Sequence, residues 1–176
     1  MQIIQDFIAK GRINRPGTIN SCKFITIHET ANYKRGADAK AHAAYIKSLK
    51  EKTSWHYTVD DKVIYQHLPD SEKSYHTSKA EANESSIAIE ICVNEDGNYT
   101  DAVTNAIWLV RKLMKDYGVS VSNIKTHRDW TGKDCPKALV GELWNDFIRR
   151  CSASEEEKLI TIEELRKLGY TGIKFN

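Results

Sequence analysis

An imidazole, an ammonium and a thiol fall inside one short polar stretch, Thr126-His127-Arg128-Asp129-Trp130-Thr131-Gly132-Lys133-Asp134-Cys135-Pro136. Imidazole and thiolate are ligands that a borderline-soft ion such as zinc prefers, and a catalytic zinc typically takes about three protein ligands and keeps one position for water. His127 and Cys135 alone are better read as a loop histidine and a buried small thiol, so a metal reading needs a third ligand. Residues Lys23-Phe24-Ile25-Thr26-Ile27-His28-Glu29-Thr30 read as a buried strand that delivers His28 at its end, where functional groups project from a rigid scaffold.

A carboxylate completes the set. Ile87-Ala88-Ile89-Glu90-Ile91-Cys92-Val93 is an almost continuous apolar run, as expected of a central strand covered on both faces, and Glu90 interrupts it. A lone carboxylate there is costly unless it is paired, linked to a metal or held protonated; the alternative is a strand-end glutamate reaching solvent. Two imidazoles and a thiolate holding one Zn2+ would leave a place for a water whose pKa falls toward neutrality. Glu90 would take that water's proton and Lys133 would counter charge on a carbonyl oxygen, which together describe hydrolysis of an amide.

Several elements must bring these groups together. Ile3, Ile4, Phe7 and Ile8 have helix-like spacing before the loop marked by Gly11, Pro16 and Gly17. Asp38 is placed to cap a helix with Ala41, Ala44, Tyr45 and Leu49 inward and His42 solvated or packed at its edge. The runs 53–59 and 62–68 flank Asp60-Asp61 and predict a hairpin, after which a polar loop extends to about Ser85. Thr100 or Asp101 would cap the clearest helix, whose stripe Ala102, Val103, Ala106, Ile107, Val110, Leu113, Met114 and Tyr117 ends at Gly118. A last helix is expected from Pro136 to about Arg150, with Leu139, Leu143, Trp144 and Phe147 inward. It would set Cys135 at a helix N-terminus, where the dipole favours a thiolate. Strands alternating with helices predict an α/β fold, a central mixed β-sheet flanked by helices on both faces, with the zinc site at one edge of the sheet.

The 176 residues suffice for one domain, and 40% hydrophobic with 28% charged residues are ordinary globular values. A net charge of +2 without a basic stripe argues against nucleic acid as a partner. No apolar run is long enough for a membrane span, and the first residues lack the pattern of a secretory signal, which predicts residence in a cytoplasm. Cys22, Cys92 and Cys151 are then expected to be structural thiols. Residues 1–151 are read as the catalytic domain, 152–157 as an acidic linker, and 158–176 as a short appendage or the stub of a second module. In the last, a capping box at 161–164 precedes Leu165, Leu168 and Gly169.

Four segments carry a resemblance: Phe24 to Thr30, Ser54 to Asp61, Glu84 to Cys92, and Thr126 to Pro136. In this order they resemble the motifs of zinc-dependent N-acetylmuramoyl-L-alanine amidases of the phage-endolysin and peptidoglycan-recognition-protein type. The resemblance implies that His28, His127 and Cys135 hold the zinc, that Glu90 is the acid/base, and that Lys133 supports the oxyanion. It implies bacterial peptidoglycan as the substrate, cleaved between N-acetylmuramic acid and L-alanine by a phage or prophage endolysin kept in the host cytoplasm until release. Members with a catalytic tyrosine carry it where this chain has Trp55, whose indole has no acidic proton, so Glu90 is expected to act here. Tyr57 would share a face with Trp55 in a strand and could assist. His56 and His76, with Trp55 and Tyr57, are expected to line the substrate groove. A peptidoglycan-binding module without chemistry, a host autolysin and a structural zinc module are the alternatives; Cys135 together with Glu90 argues against the first, and a structural module would need a fourth Cys or His ligand.

Overall fold

In the computed structural model, residues 1–153 are described. The acidic run at 155–157, the capping box at 161–164 and the whole of 158–176 lie outside them. A six-stranded sheet is formed by β1 (Ile3–Gln5), β2 (Phe24–Glu29), β3 (Tyr57–Val59), β4 (Ile64–Gln66), β5 (Ser86–Ile91) and β6 (Ile124–Thr126). Its order is β1-β4-β3-β5-β2-β6. Strands β2, β3, β5 and β6 run parallel, β4 returns antiparallel to β3, and β1 runs parallel to β4. The sheet is therefore mixed, with β5 and β2 inside it.

Alternation along those inner strands divides the residues between two faces. Ile25, Ile27, Ile87, Ile89 and Ile91 are fully buried and pack under α3 (Tyr99–Tyr117) and α5 (Glu142–Ser152), joined by Leu109, Val110, Leu113 and Phe147. Thr26, His28, Ala88 and Glu90 point to the other face, where α1 (Ala39–Ser48) lies and where Ile8, Ile46, Leu49, Trp55, Leu68 and Ala88 form a second cluster. Two short helices also pack on β2: α2 (Ala80–Ser85), which leads directly into β5, and α4 (His127–Thr131), which follows β6.

The N-terminal apolar residues form a strand rather than a helix, because Ile3 to Gln5 pair with Ile64 to Gln66 and cover the open edge of β4. On α1 the inward stripe is Ala39, His42, Ala43 and Ile46, at i, i+3, i+4 and i+7, which leaves Tyr45 exposed. His42 is thus an interior residue, its Nδ1 2.9 Å from the Asp38 carbonyl; counting it as polar conceals the stripe. Helix α3 is capped by Asn98, whose side chain accepts from the Asp101 N–H, and it ends at Gly118 with φ 66°. At that left-handed position only glycine is free of a Cβ penalty. The polar loop after residue 69 ends in helix α2 rather than running unstructured to Ser85.

Helix α5 begins at Glu142, not Pro136. The Glu29 carboxylate accepts the backbone N–H groups of Lys137, Ala138 and Leu139, at 2.8, 3.1 and 3.2 Å, and holds that segment out of the helix. Cys135 consequently lies in a loop ahead of α5, not at the N-terminus of that helix. Leu139 and Phe147 point inward as expected, Trp144 stacks on Phe147, and Leu143 is exposed. Cys22, Cys92 and Cys151 are buried free thiols. Among the described residues no helix is long and apolar enough to cross a membrane.

Candidate metal centre

His28 stands near the end of β2 and is the register partner of Glu90 on β5, so the two side chains share a face at the carboxyl end of the parallel strands. His127 is the first residue of α4. That helix starts where it does because Thr126 and Asp129 form a reciprocal capping box: the Thr126 hydroxyl accepts from the Asp129 N–H, while the Asp129 carboxylate accepts from the Thr126 N–H. Trp130 anchors the helix to β2, its indole N–H donating to Thr26 Oγ1 at 2.9 Å and its ring edge-on to Phe24. Gly132, with φ 77°, reverses the chain. The Arg128 N–H then donates to the Cys135 carbonyl at 3.1 Å, which brings Cys135 back beside His127.

The result is a compact, buried cluster. The metal-binding atoms of His28, His127 and Cys135 lie within 4.8 Å of one another. Nδ1 of His28 is 3.1 Å from Nδ1 of His127 and 3.8 Å from Sγ of Cys135. A tetrahedral zinc with ordinary bond lengths would separate two nitrogens by about 3.4 Å and a nitrogen and a sulfur by about 3.6 Å, so the spacing suits that ion. Glu90 completes the arrangement: Oε1 is 4.0 Å from His28 Nδ1, and Oε2 is buried without a hydrogen-bond partner.

Burial governs the protonation of the cluster. It holds His28 well below its ordinary value, assisted by His76, His127 and Lys133. The same effect, with Lys133, lowers His127 to about 4, so both imidazoles are neutral near pH 7 and able to bind metal. Burial raises Cys135 to about 11 and Glu90 to about 8, Lys133 opposing both shifts. Lys133 is exposed, yet its charge acts on all four groups.

His28, Glu90, His127 and Cys135 thus converge; of the four predicted groove residues His76 meets the cluster, while Trp55, His56 and Tyr57 pack elsewhere. Trp55 is buried in the α1-side cluster and its indole N–H donates to Thr58 Oγ1 at 2.7 Å. His56 is fully buried; its Nδ1 accepts the Ala88 N–H and its Nε2 donates to the Glu72 carbonyl, which locks β5 to the loop after β4. Tyr57 pairs with Ile89 under α3, on the face opposite Glu90, and its hydroxyl reaches Asp70. The chain is not regular strand before Tyr57, so a two-residue offset does not keep Trp55 and Tyr57 on one face. His76 is half-buried behind His28, with Nδ1 2.9 Å from His28 Nε2. One positioning residue went unrecognised in the sequence: Glu29, nine-tenths buried beside His28, gathers the loop after Cys135 and also accepts the Tyr99 hydroxyl. Its signal was a charged residue closing an apolar strand, which demands a partner.

Fold and cluster together define an α/β domain with a three-ligand site suited to one metal ion and a carboxyl group beside it. The chain belongs to the N-acetylmuramoyl-L-alanine amidase family, whose model matches residues 18–138. The amidase CwlH of Bacillus subtilis is 45% identical over 156 residues, covering 87% of this chain and 62% of its own length. XlyA of the same organism is 47% identical over 149 residues, covering 84% of this chain and 50% of its own. The chain therefore spans between half and two thirds of these relatives. The solved catalytic domain of XlyA superposes with a TM-score of 0.83 at 45% identity, covering 86% of this chain and all of that one.

Proposed function

We propose that this chain is a zinc-dependent peptidoglycan amidase that cleaves the bond between the lactyl group of N-acetylmuramic acid and L-alanine of the stem peptide. The observation that carries the reading is the convergence of His28, His127 and Cys135 within 4.8 Å beside the Glu90 carboxyl, whose Oε2 is buried and unpaired. His28, His127 and Cys135 would hold the ion. Bound there, zinc supplies an acidified water and polarises the scissile carbonyl. Glu90 is placed to accept a proton at its unpartnered Oε2 and return it to the leaving nitrogen. Lys133 offsets negative charge growing on the carbonyl oxygen. Membership of the amidase family and likeness to the XlyA catalytic domain support the same chemistry.

The biological role we infer is that of a phage or prophage endolysin, held in the host cytoplasm and reaching the wall on release. One similar structure, 46% identical with a TM-score of 0.83, is described as a mutant endolysin from Bacillus subtilis. Residues 1–151 form the catalytic domain in this reading, with 152–157 as linker and 158–176 as appendage; the match to 18–138 supports the first part. The test is metal removal and return: chelated protein should stop clearing a suspension of cell walls and regain activity with added zinc. The Cys135→Ser variant should hold little zinc and clear no walls. Full zinc content and full activity in that variant would refute the ligand assignment.

A further inference from the structure

We propose that His76 is a positioning residue for the metal centre, fixing the tautomer and ring plane of His28 so that His28 Nδ1 faces the cluster as a bare lone pair. The inference rests on the zinc reading above and deepens it. His76 Nε2 lies 3.1 Å from the Ala82 carbonyl, which can only accept, so that nitrogen carries the proton. A neutral imidazole then has an acceptor at Nδ1, and His76 Nδ1 meets His28 Nε2 at 2.9 Å. His28 must therefore donate from Nε2, which leaves Nδ1 without hydrogen. That is the atom 3.1 Å from His127 Nδ1 and 3.8 Å from Cys135 Sγ.

His76 is itself held by the chain around α2. Its backbone N–H and that of Thr77 both donate to Asn83 Oδ1 at 3.0 Å, and Asn83 Nδ2 returns a hydrogen bond to the Thr77 carbonyl. The rings of His76 and His28 cross at 89° with centroids 5.1 Å apart, so a turn of one ring is blocked by the other. Metal-bound histidines usually donate their second N–H to a carboxylate, carbonyl or water; here a neutral imidazole fills that place and adds no charge behind the ligand. With both nitrogens engaged, His76 has none left for substrate.

The zinc affinity of the full chain, measured by competition with a chromophoric chelator, separates a positioning role from a groove-lining one. His76→Leu keeps much of the volume but accepts no hydrogen bond, and its affinity should fall about 10- to 100-fold. His76→Gln can accept from His28 through Oε1 and donate to Ala82 through Nε2, so it should stay within about threefold of the natural chain. In the zinc-loaded natural chain, nitrogen-15 NMR should find His28 protonated at Nε2, a readout that needs no variant to fold. A folded His76→Leu chain with unchanged zinc affinity, or a His28 protonated at Nδ1, would overturn the proposal. Absence of zinc binding in the natural chain would instead overturn the underlying metal assignment.

Discussion

At Glu90 a carboxyl group stands between its register partners His28 and Thr58, with one oxygen 4.0 Å from a ligand imidazole and the other buried and unpartnered. Nothing in a purely structural role explains an unsatisfied buried carboxyl, because a hydrophobic side chain would pack there at lower cost. Burial raises it to about 8, the range in which a proton can be both taken and returned near neutral pH. Glu90→Gln, which keeps shape but not basicity, should retain zinc while kcat falls on the order of 10²- to 10⁴-fold; metal analysis and wall turbidity on the same sample give both quantities. Unchanged kcat would move the base to another residue. These residues were legible in the sequence because their types are costly where they stand: a glutamate inside an apolar run, a histidine closing a strand, a thiol and a lysine in one loop. His56 and His76 were not, since a histidine looks the same in a sequence whether it meets substrate, a carbonyl or another imidazole.

At the scale of elements, β2 carries both the ligand His28 and the anchor Glu29 on opposite faces, so one strand positions the imidazole and, through the far side of the sheet, the loop that bears Cys135. Glu29→Ala would leave three backbone N–H groups and the Tyr99 hydroxyl without their acceptor. The expected loss is about 1–3 kcal/mol of stability with weakened zinc binding, because the Leu139 N–H is buried and would be left unsatisfied, while the other donors are closer to solvent. Denaturant titration with a zinc competition assay checks this, and stability within experimental error of the natural chain would contradict it. Strands β2 to β5 and helix α3 were readable from periodicity, and Gly118 marked the end of α3 correctly; β1 was not, because its place is set by pairing with β4 and its apolar spacing reads as helical. The start of α5 was not, because Pro136 carries a helix-start signal that the Glu29 clasp overrides from more than a hundred residues away in sequence. The face of Tyr57 was lost for a related reason: alternation predicts sidedness only inside a regular strand, and Trp55 lies before β3 begins.

Across the whole molecule, acid should destabilise the metal-free protein. Burial holds His28 well below 6.5, lowers His56, and sets His67 and His76 at about 3 and His127 at about 4. Between those values and 6.5 the unfolded chain binds protons that the folded chain refuses, so stability rises with pH through that window and is lost as pH falls. Glu90, raised to about 8, contributes the opposite slope above 4.5, but it is one group set against these histidines. Each fully differential proton is worth about 1.4 kcal/mol per pH unit, a large share of ordinary domain stability. The chelated chain should therefore melt at a clearly lower temperature at pH 5 than at pH 7, and equal melting temperatures would show that these histidines are not held neutral. The assignment of the scissile bond is tested most directly by digesting purified peptidoglycan with the zinc-loaded chain and scoring the new chain ends, with a chelated sample as control. Amide cleavage should yield new N-terminal alanine, no new reducing sugar, and neither product under chelation; new reducing ends without free alanine would contradict it.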